Sequence, residues 1–271
     1  MFIFYASEVL FHQTLTDVIT MEELVTQIPE GVYTSLPVYK GNLVLEFQGH
    51  LDRLKKSAIF MGFSFPEGES WIRNRVKKAI KISGFDECVV KLIAHPSVDN
   101  GIYIVVENYK PPPEVVFEKG VHASLAEQIY LKPEVKSTTK IIERQKLREK
   151  YPDAYEVLLY NQKFEILEGA SSNFFAVVVG QLWTAGSKVL EGITRNLILE
   201  EAKKILPILF TAIKIDQINY LDEAFISSTS RGIIPVININ GSRISTGKPG
   251  RITVALSKAY EKRKELELIA L

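Results

Sequence analysis

The sequence predicts an α/β protein of two domains, on three observations. Segments with the two-residue period of strands and the 3.6-residue period of helices are interleaved along the whole chain. The run Lys110-Pro111-Pro112-Pro113 interrupts them, because consecutive prolines hold the backbone extended and cannot join a helix or a central strand. The 271 residues, 46% hydrophobic and 24% charged, suffice for one large or two modest cores. The expected division is a smaller N-terminal α/β domain over 1–110, a linker over 111–114 and a larger domain over 115–271.

Met1-Phe-Ile-Phe-Tyr5 reads as an edge strand; it is short, lacks a basic flank and is interrupted by Glu8, which argues against a signal peptide. Val32 to Tyr39 is a strand, followed by a Lys40-Gly41 turn and a second strand from Asn42 to Phe47. From His50 to Met61 a helix sets Leu51, Leu54, Ala58 and Met61 on one face, and Trp71 to Ile82 forms another that stops at Gly84. Strands follow at Glu87 to Ala94 and Gly101 to Glu107, joined by a turn from Pro96 to Asn100.

Beyond the prolines, Val115 to Val121 reads as a strand and Ile141 to Lys150 as a helix. Strands are expected from Tyr155 to Tyr160, from Phe164 to Leu167 after a turn, and from Phe174 to Val179. Thr194 to Leu206 sets Leu197, Ile198, Ala202 and Ile205 on one helical face. A short strand spans Glu223 to Ser227, and Pro235 to Ile244 is a hairpin turning at Asn240-Gly241. The glycosylation pattern Asn240-Gly241-Ser242 falls on that tip, where a cytoplasmic protein has no use for it. Arg251 to Leu268 closes the chain as a helix, and no repeat or low-complexity tract is present.

Composition narrows the function. A net charge of +1 gives no electrostatic basis for binding nucleic acid or an anionic membrane, and no transmembrane span is visible. A lone cysteine, Cys88, beside Val89 and Val90, excludes an intrachain disulfide and fits a reducing, cytoplasmic location and a buried, inert thiol. His12, His50, His95 and His122 are scattered without metal-ligand spacing, so no metal is expected. Ser137-Thr-Thr-Lys140 fits the S-x-x-K pattern of serine acyl-transfer enzymes; Ser245-Thr-Gly-Lys248 fits it equally, and the companion motifs are missing.

The most informative stretch is Glu168-Gly169-Ala170-Ser171-Ser172-Asn173, read with Leu190-Glu191-Gly192-Ile193-Thr194-Arg195. The first sets a carboxylate at the end of a short apolar strand. The second sets a glycine and a hydroxyl residue where a helix begins and backbone N–H groups await an anion. A cofactor with a basic ring nitrogen and a phosphate needs both, and pyridoxal phosphate, which also needs a lysine for its aldehyde, is such a cofactor.

Lys136 in Glu134-Val-Lys-Ser-Thr-Thr139, then Glu168, Gly192-Ile-Thr-Arg195, Phe225-Ile-Ser-Ser-Thr-Ser230 and Pro235-Val236 occur in an order that resembles the class IV aminotransferases, the fold-type IV pyridoxal phosphate enzymes. That family includes D-amino acid aminotransferase, branched-chain aminotransferase and aminodeoxychorismate lyase. Gly31-Val32-Tyr33 and His50-Leu51-Asp52-Arg53-Leu54 with Ser57 extend the resemblance, which covers roughly residues 31–255. It implies a larger domain built on a mixed, barrel-like sheet, and a homodimer whose small-domain loop reaches the neighbour's site.

The resemblance also implies roles. Lys136 would form the Schiff base and shuttle the proton; Glu168 would keep the pyridine nitrogen protonated. Ile193 and Thr194, Arg53 and Thr229 would hold the phosphate. Leu190 would pack on the ring, Asn173 and Ser172 would anchor the surrounding network, and Tyr33 and Ser230 would face substrate; Arg231, which departs from the family, reads by its charge either as a contact for a substrate carboxylate near the expected pocket or as a surface arginine after a strand.

Departures concern the substrate side. Thr34 stands where aminotransferases of this family usually have Glu, and Pro29-Glu30-Gly31 replaces Gly-Asp-Gly. No Tyr-x-Arg occurs in Val89 to His95, and no Arg-x-His carboxylate trap is present. Ile141 takes a tyrosine position of the branched-chain enzymes, and Arg231 a position where a neutral residue is common. The expected activity is amino transfer between a small amino acid and a 2-keto acid. The alternatives are a lyase releasing pyruvate from aminodeoxychorismate, favoured by Thr34, and a cofactor-binding protein without turnover. Phe11, Phe63 and Phe65 are candidates either for the dimer interface or for packing within the small domain.

Overall fold

The computed structural model describes residues 1–15, 17–96, 101–128 and 130–271. They form two compact units: residues 1–110 with 135–142 and 266–271, and residues 111–134 with 143–265.

The first unit contains β1 (Phe2–Ser7), β2 (Phe11–Gln13), α1 (Met21–Gln27), β3 (Val32–Tyr39), β4 (Leu43–Val44), α2 (Phe47–Phe60), α3 (Glu69–Ser83), β5 (Cys88–Ala94) and β6 (Gly101–Asn108). Alternation along β3 sends Val32, Leu36 and Val38 into a core shared with Leu51 and Leu54 of α2 and Ile72 and Val76 of α3. Tyr33 faces the opposite side, where Leu24 of α1, Ile93 and Val105 form a second core. Each fully buried aliphatic side chain contributes about 1.5–3 kcal/mol, so the two-sided burial fixes the β3 register.

Several expectations change here. β1 is not an edge; β2, unassigned from sequence, pairs outside it. The strand expected over 42–47 shrinks to β4, because Phe47, fully buried against the sheet, already begins α2. α1 was missed despite a capping box in which Thr20 and Glu23 bond each other's backbone N–H. Beyond Pro96, the expected turn over 96–100 lies outside the described residues. Phe11, Phe63 and Phe65 pack against the first unit's own core. Cys88 is buried, which pushes its thiol up to about 11 and leaves it unreactive.

The second unit begins with α4 (Glu114–Lys119), where a strand was expected. Val115-Val116-Phe117 is β-rich in composition but lacks alternation. Pro113 presets the backbone, Glu114 suits a first helical turn, and Gly120 ends the helix. The chain continues through β7 (Val121–Glu127), α5 (Thr139–Lys150), β8 (Glu156–Tyr160), β9 (Glu165–Gly169), β10 (Ser172–Val178), β11 (Gln181–Trp183) and α6 (Ile193–Ala202). It runs on through β12 (Ile208–Leu209), β13 (Ile213–Lys214), a 3-10 helix over Ile215–Tyr220, β14 (Glu223–Ser228), β15 (Gly232–Ile239), β16 (Ser242–Arg243) and α7 (Arg251–Glu267), and ends with β17 (Ile269–Ala270), which belongs to the first unit and pairs with β4. α6 stops before the expected Leu206, and Ile205 is half-exposed in the following turn.

The strand order β10-β14-β15-β7-β8-β9 closes on itself because β9 also pairs with β10. This six-strand ring is the expected barrel-like sheet, mixed because β15–β7 and β7–β8 are parallel. Its packing includes Leu158, Phe174, Ile226 and Val236. Among the described residues no helix is long and apolar enough to cross a membrane.

Candidate active site

In the first unit, two strand-like pairings place Lys136 beside β3. Val32 bridges Ser137, and Tyr33 N–H donates to Lys136 O at 2.9 Å. Thr138 N–H donates to Gly31 O at 2.8 Å, and Gly31 N–H to Thr138 Oγ1 at 3.0 Å. Val135 and Thr138 are buried, so the segment is pinned on both sides of the lysine. Lys136 Nζ lies 4.9 Å from the Tyr33 ring centroid.

Thr34 points to the opposite face of β3, toward α2. Arg53 Nη2 donates to Thr34 Oγ1 at 2.9 Å, and Thr34 Oγ1 lies 2.8 Å from His50 Nδ1. A guanidinium only donates, so the threonine's single proton is free to go to His50 Nδ1. The imidazole is fully buried; desolvation, then the charges of Arg53 and Lys136, push its pKa well below 6.5. Desolvation also lowers Arg53 to about 10, so it remains a cation at neutral pH. Among the described residues Arg53 makes no ion pair, and its buried Nε has no hydrogen-bond partner. An uncompensated, part-buried guanidinium fits an anion.

In the second unit, Glu168 on β9 is opposite Asn173 on β10. Both are buried. Glu168 Oε2 accepts from Leu190 N–H at 2.9 Å, and Asn173 Nδ2 donates to Leu190 O at 2.8 Å. Gly192, the N-cap of α6, lies so close that a Cβ there would collide with Asn173 Oδ1. Ile193 and Thr194 form the first turn of α6, and the buried Thr194 Oγ1 has no hydrogen-bond partner among the described residues. An orphaned hydroxyl among the unpaired N–H groups of a helix start again fits an anion. Arg195 is buried and donates to Ala185 O at 2.9 Å; desolvation lowers its pKa against the pull of Glu191 and Glu168.

Thr229 and Ser230 occupy the turn from Ser228 to Arg231, closed by Arg231 N–H donating to Ser228 O at 3.2 Å. Arg231 itself is engaged: its guanidinium contacts Glu156, Ser171 and Ser228. Glu156 is the residue that sequence reasoning missed. The signal was a carboxylate within the apolar run Tyr155-Glu156-Val157-Leu158-Leu159, which can be buried only with a partner.

The closed, mixed, barrel-like sheet is the fold of the fold-type IV aminotransferases, and the comparisons with known proteins agree. The sequence profile of amino-transferase class IV matches residues 31–239, and the chain belongs to that family. It is 27% identical over 262 residues to D-alanine aminotransferase of Listeria monocytogenes, covering 89% of each chain. To D-alanine aminotransferase of Bacillus licheniformis it is 26% identical over 272 residues, covering 90% of each.

In fold it is similar to the branched-chain aminotransferase of Thermoproteus uzoniensis, with a TM-score of 0.82 at 20% identity over 100% of this chain and 99% of that one. The branched-chain amino acid aminotransferase of Escherichia coli gives a TM-score of 0.78 at 17% identity, over 96% of this chain and 92% of that one. The protein is therefore an enzyme of the class IV aminotransferase type, and its reaction is amino-group transfer.

Proposed function

We propose that this enzyme binds pyridoxal phosphate and moves an amino group between a small amino acid and a 2-keto acid. The observation that carries the reading is Glu168: a buried carboxylate that, with Asn173, clasps Leu190 just ahead of the α6 N-terminus. Bound, the cofactor supplies a ring that takes up the electron pair left when the substrate Cα loses its proton.

The chain's own residues do the rest. Lys136 Nζ would hold the cofactor through its aldehyde carbon and, once displaced there by the substrate amine, would carry the proton between the substrate Cα and that carbon. Glu168 holds a proton on the ring nitrogen and so keeps the ring electron-poor. Arg53, the Ile193 and Thr194 amides, the Thr194 hydroxyl and Thr229 bind the phosphate dianion. Leu190 covers one ring face, Asn173 orients Leu190, and Tyr33 with the Thr229–Ser230 backbone faces substrate. The chain works as a homodimer in the cytoplasm; this part of the reading is supported by the family resemblance and by a single, buried cysteine.

D-alanine is the first amino donor to test, since the sequence relatives are enzymes named for it. A second reading, a lyase expelling pyruvate from aminodeoxychorismate, is favoured by Thr34 in place of the usual glutamate. One screen separates them. Amine transfer dependent on an added keto acid supports the aminotransferase; pyruvate released from aminodeoxychorismate without any acceptor overturns it.

A further inference from the structure

We propose that Arg231 and Glu156 are positioning residues, an ion pair of a part-buried guanidinium with a buried carboxylate that clamps together the two turns carrying the cofactor-facing groups of the second unit. The proposal rests on the pyridoxal phosphate reading above.

Glu156 opens β8 and is 5% exposed. Its Oε1 accepts from Val157 N–H at 3.1 Å. Its Oε2 is shared by Ser171 Oγ at 2.7 Å, Ser172 Oγ at 2.9 Å and Arg231 Nη2 at 3.0 Å. Arg231 Nη2 also donates to Ser171 O at 3.0 Å and lies 2.9 Å from Ser171 Oγ, while Arg231 Nε donates to Ser228 Oγ at 2.9 Å. One guanidinium thus ties the β9–β10 turn to the β14–β15 turn, across a sequence separation of 60 residues between Ser171 and Arg231.

Both turns matter to the site. The first lies between Glu168 and Asn173; the second contains Thr229 and Ser230. Ser171, Ser172, Ser228, Thr229 and Ser230 are small and polar and offer little apolar area to fix a conformation, so polar bonds must do it. The carboxylate sits directly under the first turn: a Cβ on Gly169 would meet Glu156 Cγ at 2.9 Å and collide with Ser172 Oγ.

The arrangement also decides against a substrate role for Arg231. To bind a substrate carboxylate, the guanidinium would have to leave Glu156 as an unpaired charge in a dry site, which is strongly unfavourable. Its fork is already used on three residues, and the ring of Tyr155 lies 5.7 Å from its central carbon.

The test is Arg231→Lys, studied beside the unaltered enzyme. Lysine keeps a cation opposite Glu156, but a single ammonium cannot reach Glu156, Ser171 and Ser228 together. Amide hydrogen exchange on the purified protein should quicken by about tenfold or more at both 169–173 and 228–231, and not in α2, as expected for loss of shared local protection. The dissociation constant for pyridoxal phosphate should rise about tenfold, the loss of roughly one hydrogen bond to a charged group. KM for the amino acid at saturating cofactor should rise by a smaller factor than the cofactor's dissociation constant does, since no side-chain contact to substrate is removed and only the Thr229–Ser230 turn that faces it is loosened.

Quickened exchange at 228–231 alone, or an unchanged dissociation constant, overturns the clamp. A raised KM with unchanged cofactor affinity overturns it in favour of a substrate contact. If the unaltered protein binds no pyridoxal phosphate, the functional reading fails, and the paired change in exchange still accepts or rejects the clamp. If Arg231→Lys does not fold, Ser171→Ala and Ser228→Ala each remove one strut. Each should quicken exchange in both turns, and a response confined to the substituted turn overturns the proposal.

Discussion

Glu168 and Asn173 face each other across β9 and β10 and close on the same residue, the carboxylate accepting the Leu190 N–H and the amide donating to its carbonyl. The negative charge is thereby fixed relative to the α6 N-terminus, which begins just beyond Leu190 at the Gly192 cap. On the function proposed above, a cofactor bearing a basic nitrogen at one end and a phosphate at the other would meet two groups whose separation is set by side-chain bonds to the Leu190 backbone.

Glu168→Gln should therefore bind pyridoxal phosphate within several-fold of normal and lose most turnover. The amide cannot hold the ring nitrogen protonated. Removing one such preorganised electrostatic group costs about 10²-fold or more in kcat. Single-turnover rates near those of the unaltered enzyme would show that Glu168 is structural.

Lys136→Ala should still take up pyridoxal phosphate reversibly, through its phosphate, but borohydride should no longer fix the cofactor to the chain. Peptide mapping of the reduced, unaltered enzyme should find the label on Lys136. A label on another lysine removes Lys136 from the centre of the reaction.

Arg53→Ala and Thr194→Ala should weaken cofactor binding more than the chemical step. Losing a hydrogen bond to a charged group costs roughly 1.5–3 kcal/mol, or about 10–150-fold in affinity. Equilibrium dialysis measures this directly. Unchanged dissociation constants in both variants would place the phosphate elsewhere.

The buried His50 makes stability pH-dependent. Its folded pKa is held well below 6.5, so below that value the unfolded chain binds the extra proton and folding is opposed. The stability tied to neutral His50 is complete above 6.5 and is lost progressively as pH falls. His50→Asn keeps an acceptor for Thr34 and does not titrate, so its melting temperature should fall less steeply than that of the unaltered protein between about pH 7 and 5. Parallel curves would mean that His50 does not control this range.

Much of this was legible in one dimension. The order Lys136, Glu168, Gly192-Ile-Thr-Arg195, Phe225 to Ser230 and Pro235-Val236 carried the family resemblance, and the match of the class IV profile to residues 31–239 bears the family out. β3, α2, α3, β14 and the β15–β16 hairpin follow from their apolar patterning and turn residues, the helices through one apolar face and β3 and β14 through nearly continuous apolar runs. α4 was misread because β-branched composition outweighed the helix start at Pro113, β4 was read too long, and β2 and β17 are too short to leave a period.

What the sequence alone determined is the family and its closed, mixed-sheet fold, with a set of groups proposed for the cofactor. The tertiary structure decided how those groups are held. Thr34, seen in sequence as a departure, proves to be the hydroxyl that joins Arg53 to His50. Arg231, read in sequence either as a contact for a substrate carboxylate or as a surface arginine, is bound to a buried Glu156 that sequence reasoning had passed over. The physical reason is the same in both cases. A side chain's charge is written in its identity, but its partner is set by which strands the closed sheet brings side by side, and that depends on contacts between residues far apart in the chain.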